Sequence, residues 1–497
     1  MRSTSALGSA LCRIAAAFWI LACALLSGSF AQTSNRAPYT IRYTLLEGSY
    51  FVDDCLICGR PTIQLPLRGT FDLLPLQDAG TYIEYAVQNI DFTAGAGSGL
   101  ERRITGKGTY ARFEEFALLQ DMKLAVEIKD NYTNKPAYFT NRTSAVEKPF
   151  PLIQVSLGQT NGTLLQTFSM QLFAAPIREF WFSTSKGFTS TNRFAPTNQI
   201  SAGDLISSRG RVVKRNKDLV GRLGVMPIVP DLGLDAVHVT RKAEILFSIP
   251  VNVFSETLGP IQHGDLLSNR GAIVKRNQEL LAAFHPATSA DAGLDAVQVM
   301  PGGEILFSIR SNLVLSSGVT LARGDILSDR GRIFLTHQQL LANFQPAITN
   351  RDFGLDAMRI LPGGEIWFSV EEDFNDRRLG TVHQGDLLSS LGYRVFSNRE
   401  LLAAFAPADP AQDYGLDALF VVTDTQSPRP APRIVRQTRT NNVFLIEWDG
   451  EGDVFQVETA LGLSGPWDAC TDILADLAGE VCAGLNAGCG FYRVRQW

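Results

Sequence analysis

The stretch Leu294-Asp295-Ala296-Val297-Gln298-Val299-Met300-Pro301-Gly302-Gly303-Glu304-Ile305-Leu306-Phe307-Ser308-Ile309 decides the fold. Its β-branched and apolar residues on either side of Pro301-Gly302-Gly303 predict two strands joined by a tight turn. Downstream, Gly324-Asp325-Ile326-Leu327-Ser328 predicts a third short strand, Asp329-Arg330-Gly331 a turn, and Arg332-Ile333-Phe334-Leu335 a fourth. His337 to Phe344 then suits a short helix that Pro346 stops, and the equivalent Asn277 and Asn398 are expected to act as its N-caps in their own copies.

The same unit recurs along the chain. Gly-Asp, two aliphatic residues and Ser begin at Gly203, Gly264, Gly324 and Gly385, a period of about 60 residues. Asp-x-Gly-Leu-Asp-Ala follows at Asp231–Ala236, Asp291–Ala296, Asp352–Ala357 and Asp413–Ala418. A third marker, Glu, two bulky apolar residues, Phe and Ser, stands at Glu244–Ser248, Glu304–Ser308 and Glu365–Ser369, with a first copy at Glu179–Ser183. Four strands per unit and four units over residues 168–422 are the arithmetic of a four-bladed β-propeller with a short helical insert per blade. Either Phe168–Ala174 or Leu416–Val422 is placed to complete the ring, and closure avoids the exposed edges of an open array.

Outside the repeats the pattern is also β. Residues 38–165 alternate, as in Leu124, Val126 and Ile128 against Lys123, Glu127 and Lys129, and predict a sandwich or small barrel. Ser427-Pro428-Arg429-Pro430-Ala431-Pro432 opens a semi-rigid linker over 427–433. Three apolar segments in 434–497, around Phe444, Val457 and Tyr492, predict a small sandwich. The expected class is therefore all-β with minor helix.

Composition narrows function more than it assigns it. The chain has 497 residues, 45% of them hydrophobic, which is enough for several cores; 45 Lys+Arg against 50 Asp+Glu leave a formal charge of -5, which provides no basic field for nucleic acid. The five histidines are scattered and form no catalytic or zinc-binding spacing. Arg2 and Arg13, an apolar run from Ile14 to Leu26, and Ser29-Phe30-Ala31 predict an export signal over residues 1–31 rather than a spanning anchor. The expected location is thus secreted: extracellular, periplasmic or cell-surface, with no transmembrane span in the mature chain. In such a compartment Cys55 and Cys58 are expected to form a short-loop structural disulfide. Pairing among Cys470, Cys482 and Cys489 stays open.

At Phe455–Glu458, Gly465-Pro466-Trp467 and Phe491–Val494 the chain resembles the C-terminal fibronectin-type-III-like modules of secreted bacterial proteins. The repeats look like propeller repeats of secreted bacterial proteins. These likenesses imply architecture and compartment and supply no activity.

The repeated aspartates are the first candidate site. Asp231/Asp235, Asp291/Asp295, Asp352/Asp356 and Asp413/Asp417 place two carboxylates around a Gly-Leu in every unit, a partial set for calcium. The competing reading, which repetition in every unit favours, is that these side chains bond backbone amides in turns. No cofactor is otherwise implied. Arg323-Gly324-Asp325 spells an adhesion tripeptide, but only Gly and Asp belong to the repeat. Glu371, Glu372, Asp373 and Asp376 read as a solvated acidic loop, and Trp181 and Trp367 as core residues replacing Leu246 and Leu306. Catalytic signatures such as Gly-x-Ser-x-Gly or His-Glu-x-x-His are missing from the sequence. The expectation is a secreted, non-enzymatic binding or scaffold protein with a protein or glycan ligand; the alternative is an extracellular hydrolase acting on polysaccharide through carboxylates gathered from distant strands.

Overall fold

The computed structural model describes residues 40–497 except 80, 97, 114–117, 147–149, 193–197, 228–230, 362–363, 425–429, 441–442, 463–466 and 483–490. The expected export signal at 1–31 lies outside the described residues, as do Gly465, Pro466 and Cys489. Thr40–Trp497 forms one compact unit built of strands and a few one-turn helices, an all-β protein. Among the described residues no helix is long and apolar enough to cross a membrane.

The N-terminal strands are β1 (Ile41–Leu45), β2 (Tyr50–Asp54), β3 (Ile63–Asp78), β4 (Tyr82–Ala94), β5 (Arg102–Phe113), β6 (Leu119–Lys129), β7 (Asn134–Thr140), β8 (Ser144–Ala145), β9 (Ile153–Gln159) and β10 (Thr167–Ala175). Strands β3 to β7 pair in sequence, β7 pairs β9, and β9 pairs β10. Both β1 and β2 bridge β10 to β3, so the sheet closes on itself as a barrel. Alternation drives this: on β6, Met122, Leu124, Val126 and Ile128 point into the core while Lys123, Glu127 and Lys129 face water.

The N-terminal domain therefore runs past residue 165, and Phe168–Ala174 serves the barrel rather than the repeats. Phe168, Met170, Leu172 and Ala174 are buried in the barrel core, and β10 spends its hydrogen bonds on β9, β2 and β1. A strand already paired on both edges has none left to complete another sheet.

The repeat region forms four four-stranded antiparallel sheets. Three are contiguous in sequence and begin with the strands Ala236–Thr240, Val297–Val299 and Met358–Ile360. The other takes its corresponding strand, Leu419–Thr423, from the far end of the region and pairs it with Ile177–Phe182. These four first strands are neighbours in a closed cycle, so the sheets stand around an axis.

The repeated residues explain the repeated geometry. Ser183, Ser248, Ser308 and Ser369 donate their hydroxyls to the carbonyls of Leu234, Leu294, Leu355 and Leu416, each in the next unit's Asp-x-Gly-Leu-Asp-Ala segment, at 2.7, 2.6, 3.0 and 2.6 Å. The repeated Glu sits behind the second strand and accepts the hydroxyl of the Gly-Asp strand's Ser, as Glu244 does from Ser268 and Glu304 from Ser328. Trp181 and Trp367 are fully buried and donate their indole N–H to Glu179 and Glu365 at 2.7 and 2.8 Å, which is core packing with the polar edge satisfied.

Asn277 and Asn398 are not N-caps. Each is the first helical residue and is buried; Ser397 and Arg276 occupy the cap positions. The amide instead clamps the aspartate turn: Asn277 Nδ2 donates to the Gly293 carbonyl at 3.2 Å and its Oδ1 accepts from the Ala292 amide at 3.1 Å. Asn216 and Asn398 repeat the clamp, while the third unit carries His337 there, whose buried Nε2 has no partner.

The C-terminal residues form two three-stranded sheets, Arg433–Thr440 with Val443–Asp449 and Ala478–Cys482, and Asp468–Ala469 with Phe455–Ala460 and Phe491–Gln496. Their core of Ile446, Trp448, Phe455, Val457 and Val494 is continuous with that of the first two ring sheets. Asp424, fully buried, joins all three parts: it accepts from the Arg42 amide at 2.9 Å, from Arg178 Nε at 2.7 Å, and from Arg495 Nη2 at 3.0 Å.

Candidate functional site: a carboxyl-lined mouth on the ring axis

The two aspartates of each repeat motif diverge. Asp231, Asp291 and Asp352 turn outward and accept two backbone N–H groups each, from Gly233 and Gly203, Gly293 and Gly264, and Gly354 and Gly324, at 2.8–3.2 Å. Asp413 accepts from Gly415 at 2.8 Å. These contacts are carboxylates bonding backbone amides in turns.

The second aspartates, Asp235, Asp295, Asp356 and Asp417, stand where the four axial strands begin, and they meet at one mouth of the ring. Asp356 feels the charges of Asp235, Asp295 and Asp417, which places carboxyls from all four sheets in one electrostatic cluster. Asp235 and Asp295 are buried; Asp356 and Asp417 are half-buried. Among the described residues no group of three or more His, Cys, Asp or Glu side chains is positioned to hold a metal ion. The pairs expected to offer calcium two carboxylates point to different places.

Residues that break the repeat complete the mouth. Two positions after the repeated Ser come Ser185, Pro250, Arg310 and Glu371. Arg310 Nη1 donates to Asp235 Oδ2 at 3.2 Å, Ser185 donates its hydroxyl to Asp417, and the Glu371 carboxyl stands beside that of Asp295. Asp356 and Asp417 form a second carboxyl contact. The repeated glycine makes room: Gly354 has φ +76°, and a Cβ there would lie 2.5 Å from the Glu371 carboxyl carbon.

Carboxyls outnumber guanidinium groups at the mouth. Burial and neighbouring carboxylates push Asp295 and Asp356 well up and Asp235 up to about 7, and burial pushes Asp417 up to about 6. Asp295 Oδ2 and Glu371 Oε1 are both buried without a donor, an arrangement relieved when the two carboxyls share a proton. Arg323 binds Glu371 at 2.6 Å and also Glu372, so the Arg of the Arg-Gly-Asp string orders the mouth's rim. Asp325 of that string is buried in its own turn, where it accepts from the Ala322 and His337 amides, and it presents no adhesion loop.

No protein-family model matches the chain, and no curated protein matches it. Among solved structures it is similar to the extracellular domain of a hybrid two-component system from B. thetaiotaomicron, at 8% identity over 86% of this chain and 87% of that one, with a TM-score of 0.19. A second such domain from the same organism shares 9% identity over 87% of this chain and 75% of the other, with a TM-score of 0.20. TM-scores this low carry no argument about fold or ligand.

The remaining predicted residues are dispersed. Cys55 and Cys58 form their disulfide at one end of the barrel, far in sequence from the ring, and Cys470 is a free thiol. The acidic run 371–376 is not one solvated loop: Glu371 enters the mouth, Glu372 pairs with Arg323 and Arg351, Asp373 with His383, and buried Asp376 accepts the Arg378 and Leu379 amides. Sequence reasoning missed Ser185, Arg310 and the role of Glu371. The available signal was their shared repeat position, which varies in charge while its neighbours stay constant.

Proposed function

We propose that this chain is a secreted, non-enzymatic binding or scaffold protein whose four ring sheets are the blades of a propeller and whose axial mouth receives the ligand. The observation that carries this reading is the convergence of Asp235, Asp295, Asp356 and Asp417 with Arg310, Glu371 and Ser185, which places an invariant acidic ring and a variable set of polar contacts on one surface. Carboxyl, guanidinium and hydroxyl groups held on a rigid frame suit hydrogen bonding to a glycan or to a polar protein loop. The barrel and the C-terminal sandwich, which we read as a fibronectin-type-III-like module, act as supports, and export places the surface outside the cytoplasm.

The contacts at the mouth do not favour the hydrolase reading. Glycoside hydrolysis uses carboxyls about 5 to 10 Å apart across the substrate, whereas Asp295 with Glu371 and Asp356 with Asp417 are in mutual contact. A glycan and protein binding screen on the mature chain tests the proposal. Retention of a ligand that is lost on combined Arg310→Ala and Ser185→Ala substitution supports it; equal binding by that variant sinks the axial site, and turnover of a polysaccharide sinks the non-enzymatic role.

A further inference from the structure

A second axial feature lies three residues further along each strand, about 10 Å from the carboxyl mouth at the usual rise of an extended chain. His238, Gln298, Arg359 and Phe420 occupy the same repeat position. Gln298 pins the strand that carries Arg359, accepting from the Ile360 amide at 2.7 Å and donating to its carbonyl at 3.2 Å. The Arg359 guanidinium lies over the Phe420 ring, 4.9 Å from its centroid, and Nη1 approaches His238 Nδ1 at 3.4 Å.

Arg359 has no carboxylate partner among the described residues. A guanidinium carries five N–H donors in a planar fork, and His238 meets only one of its nitrogens. Burial holds Arg359 down to about 10 and His238 down to about 3, so at neutral pH the first is a cation and the second is neutral. Among the described residues, the acid whose charge acts on Arg359 is Asp453 of the C-terminal sandwich, through space. Arg359 is half-buried, and a partly enclosed cation without a counter-ion is costly; chains seldom keep one that a neutral residue of similar size could replace. Stacking on Phe420 and the approach to His238 fix the fork's orientation in advance, which lowers the ordering cost of binding.

We infer that Arg359 is a binding site for a small monovalent carboxylate on the ring axis, with Phe420 and His238 positioning the guanidinium. The charge count selects the class. One cation matches one negative charge, and a planar carboxylate matches the fork by two parallel bonds, whereas a divalent oxyanion would bring a second charge with nothing to meet it. The inference is independent of the carboxyl mouth and of what binds there.

Calorimetric titration of the full mature chain with sodium acetate and with sodium glucuronate, against sodium sulfate and chloride at equal ionic strength, tests it. The expected result is saturable one-to-one binding of a carboxylate that sulfate and chloride do not reproduce. Arg359→Gln is expected to weaken that binding tenfold or more, and in carboxylate-free buffer to melt at or above the parent's midpoint because the uncompensated cation is gone. Arg359→Lys, which keeps the charge and loses the fork, is expected to bind more weakly than the parent. Equal titration heats for the parent and Arg359→Gln would overturn the inference. So would an Arg359→Gln chain that melts below the parent, since Arg359 would then be a structural cation, and so would sulfate or chloride binding as well as carboxylate.

Discussion

The Ser369 hydroxyl donates to the Leu416 carbonyl at 2.6 Å, and this bond joins the last repeat to the strand that completes the first sheet. It is chemically the same as the bonds from Ser183, Ser248 and Ser308 to the unit that follows each, so the ring closes with the contact that propagates it. Ser369→Ala would leave a buried carbonyl without its donor, at a cost of about 1–3 kcal/mol. Urea unfolding is expected to show that loss for Ser369→Ala and a similar one for Ser248→Ala. A negligible change at Ser369 alone would mean that closure rests on other contacts.

The mouth makes stability depend on pH in a stated direction. Asp235 and Asp417 have folded values raised from 3.8 to about 7 and about 6, so between about pH 4 and pH 7 the folded chain holds protons that the unfolded chain has released. Their contribution is complete below about pH 4 and falls as pH rises through the folded values. Asp295→Asn removes one buried carboxyl from the same cluster and is expected to raise the melting midpoint at pH 8 more than at pH 5. Differential scanning calorimetry at both values checks this, and a parallel shift at the two pH values would contradict it.

His337 interrupts a clamp that the other units keep. The side-chain amides of Asn216, Asn277 and Asn398 tie the helix start to the aspartate turn, whereas His337 leaves Nε2 buried and unpartnered. His337→Asn is expected to stabilise the chain by about 1 kcal/mol. A chemical denaturation midpoint that fails to rise would show that the third unit has repacked around the imidazole.

Asp424 is the most consequential single carboxylate for assembly of the three parts. It receives donors from Arg42, Arg178, Arg495 and Trp497. Asp424→Ala strands buried arginines and is expected to cost about 3–5 kcal/mol. Limited proteolysis should then release the C-terminal sandwich before the ring is cut, and loss of all three parts together would argue for a single cooperative unit.

Calcium removal is expected to leave the unfolding midpoint unchanged. The outward aspartates are already occupied by backbone N–H groups, and the inward ones meet other carboxyls. A fall in midpoint on adding a chelator, reversed by calcium, would restore the metal reading.

The repeat period, the hairpins and the turn residues follow from the amino-acid sequence because each depends on local preference and on alternation along a short segment. The same holds for the turn that Asp231, Asp291 and Asp352 each make with the glycine two residues on. Only the tertiary structure assigned Phe168–Ala174 to the barrel and Leu419–Thr423 to the ring, since an apolar strand's pattern is silent about which of two sheets offers it free edges. It alone turned Asn277 from an expected cap into a clamp, because the amide's partners lie some fifteen residues further on. The axial groups are the extreme case. Asp235, Asp295, Asp356 and Asp417 are about 60 residues apart in the chain, and Arg359 meets Phe420 and His238 from other units. Their burial, charge and contacts exist only once four sheets stand around one axis.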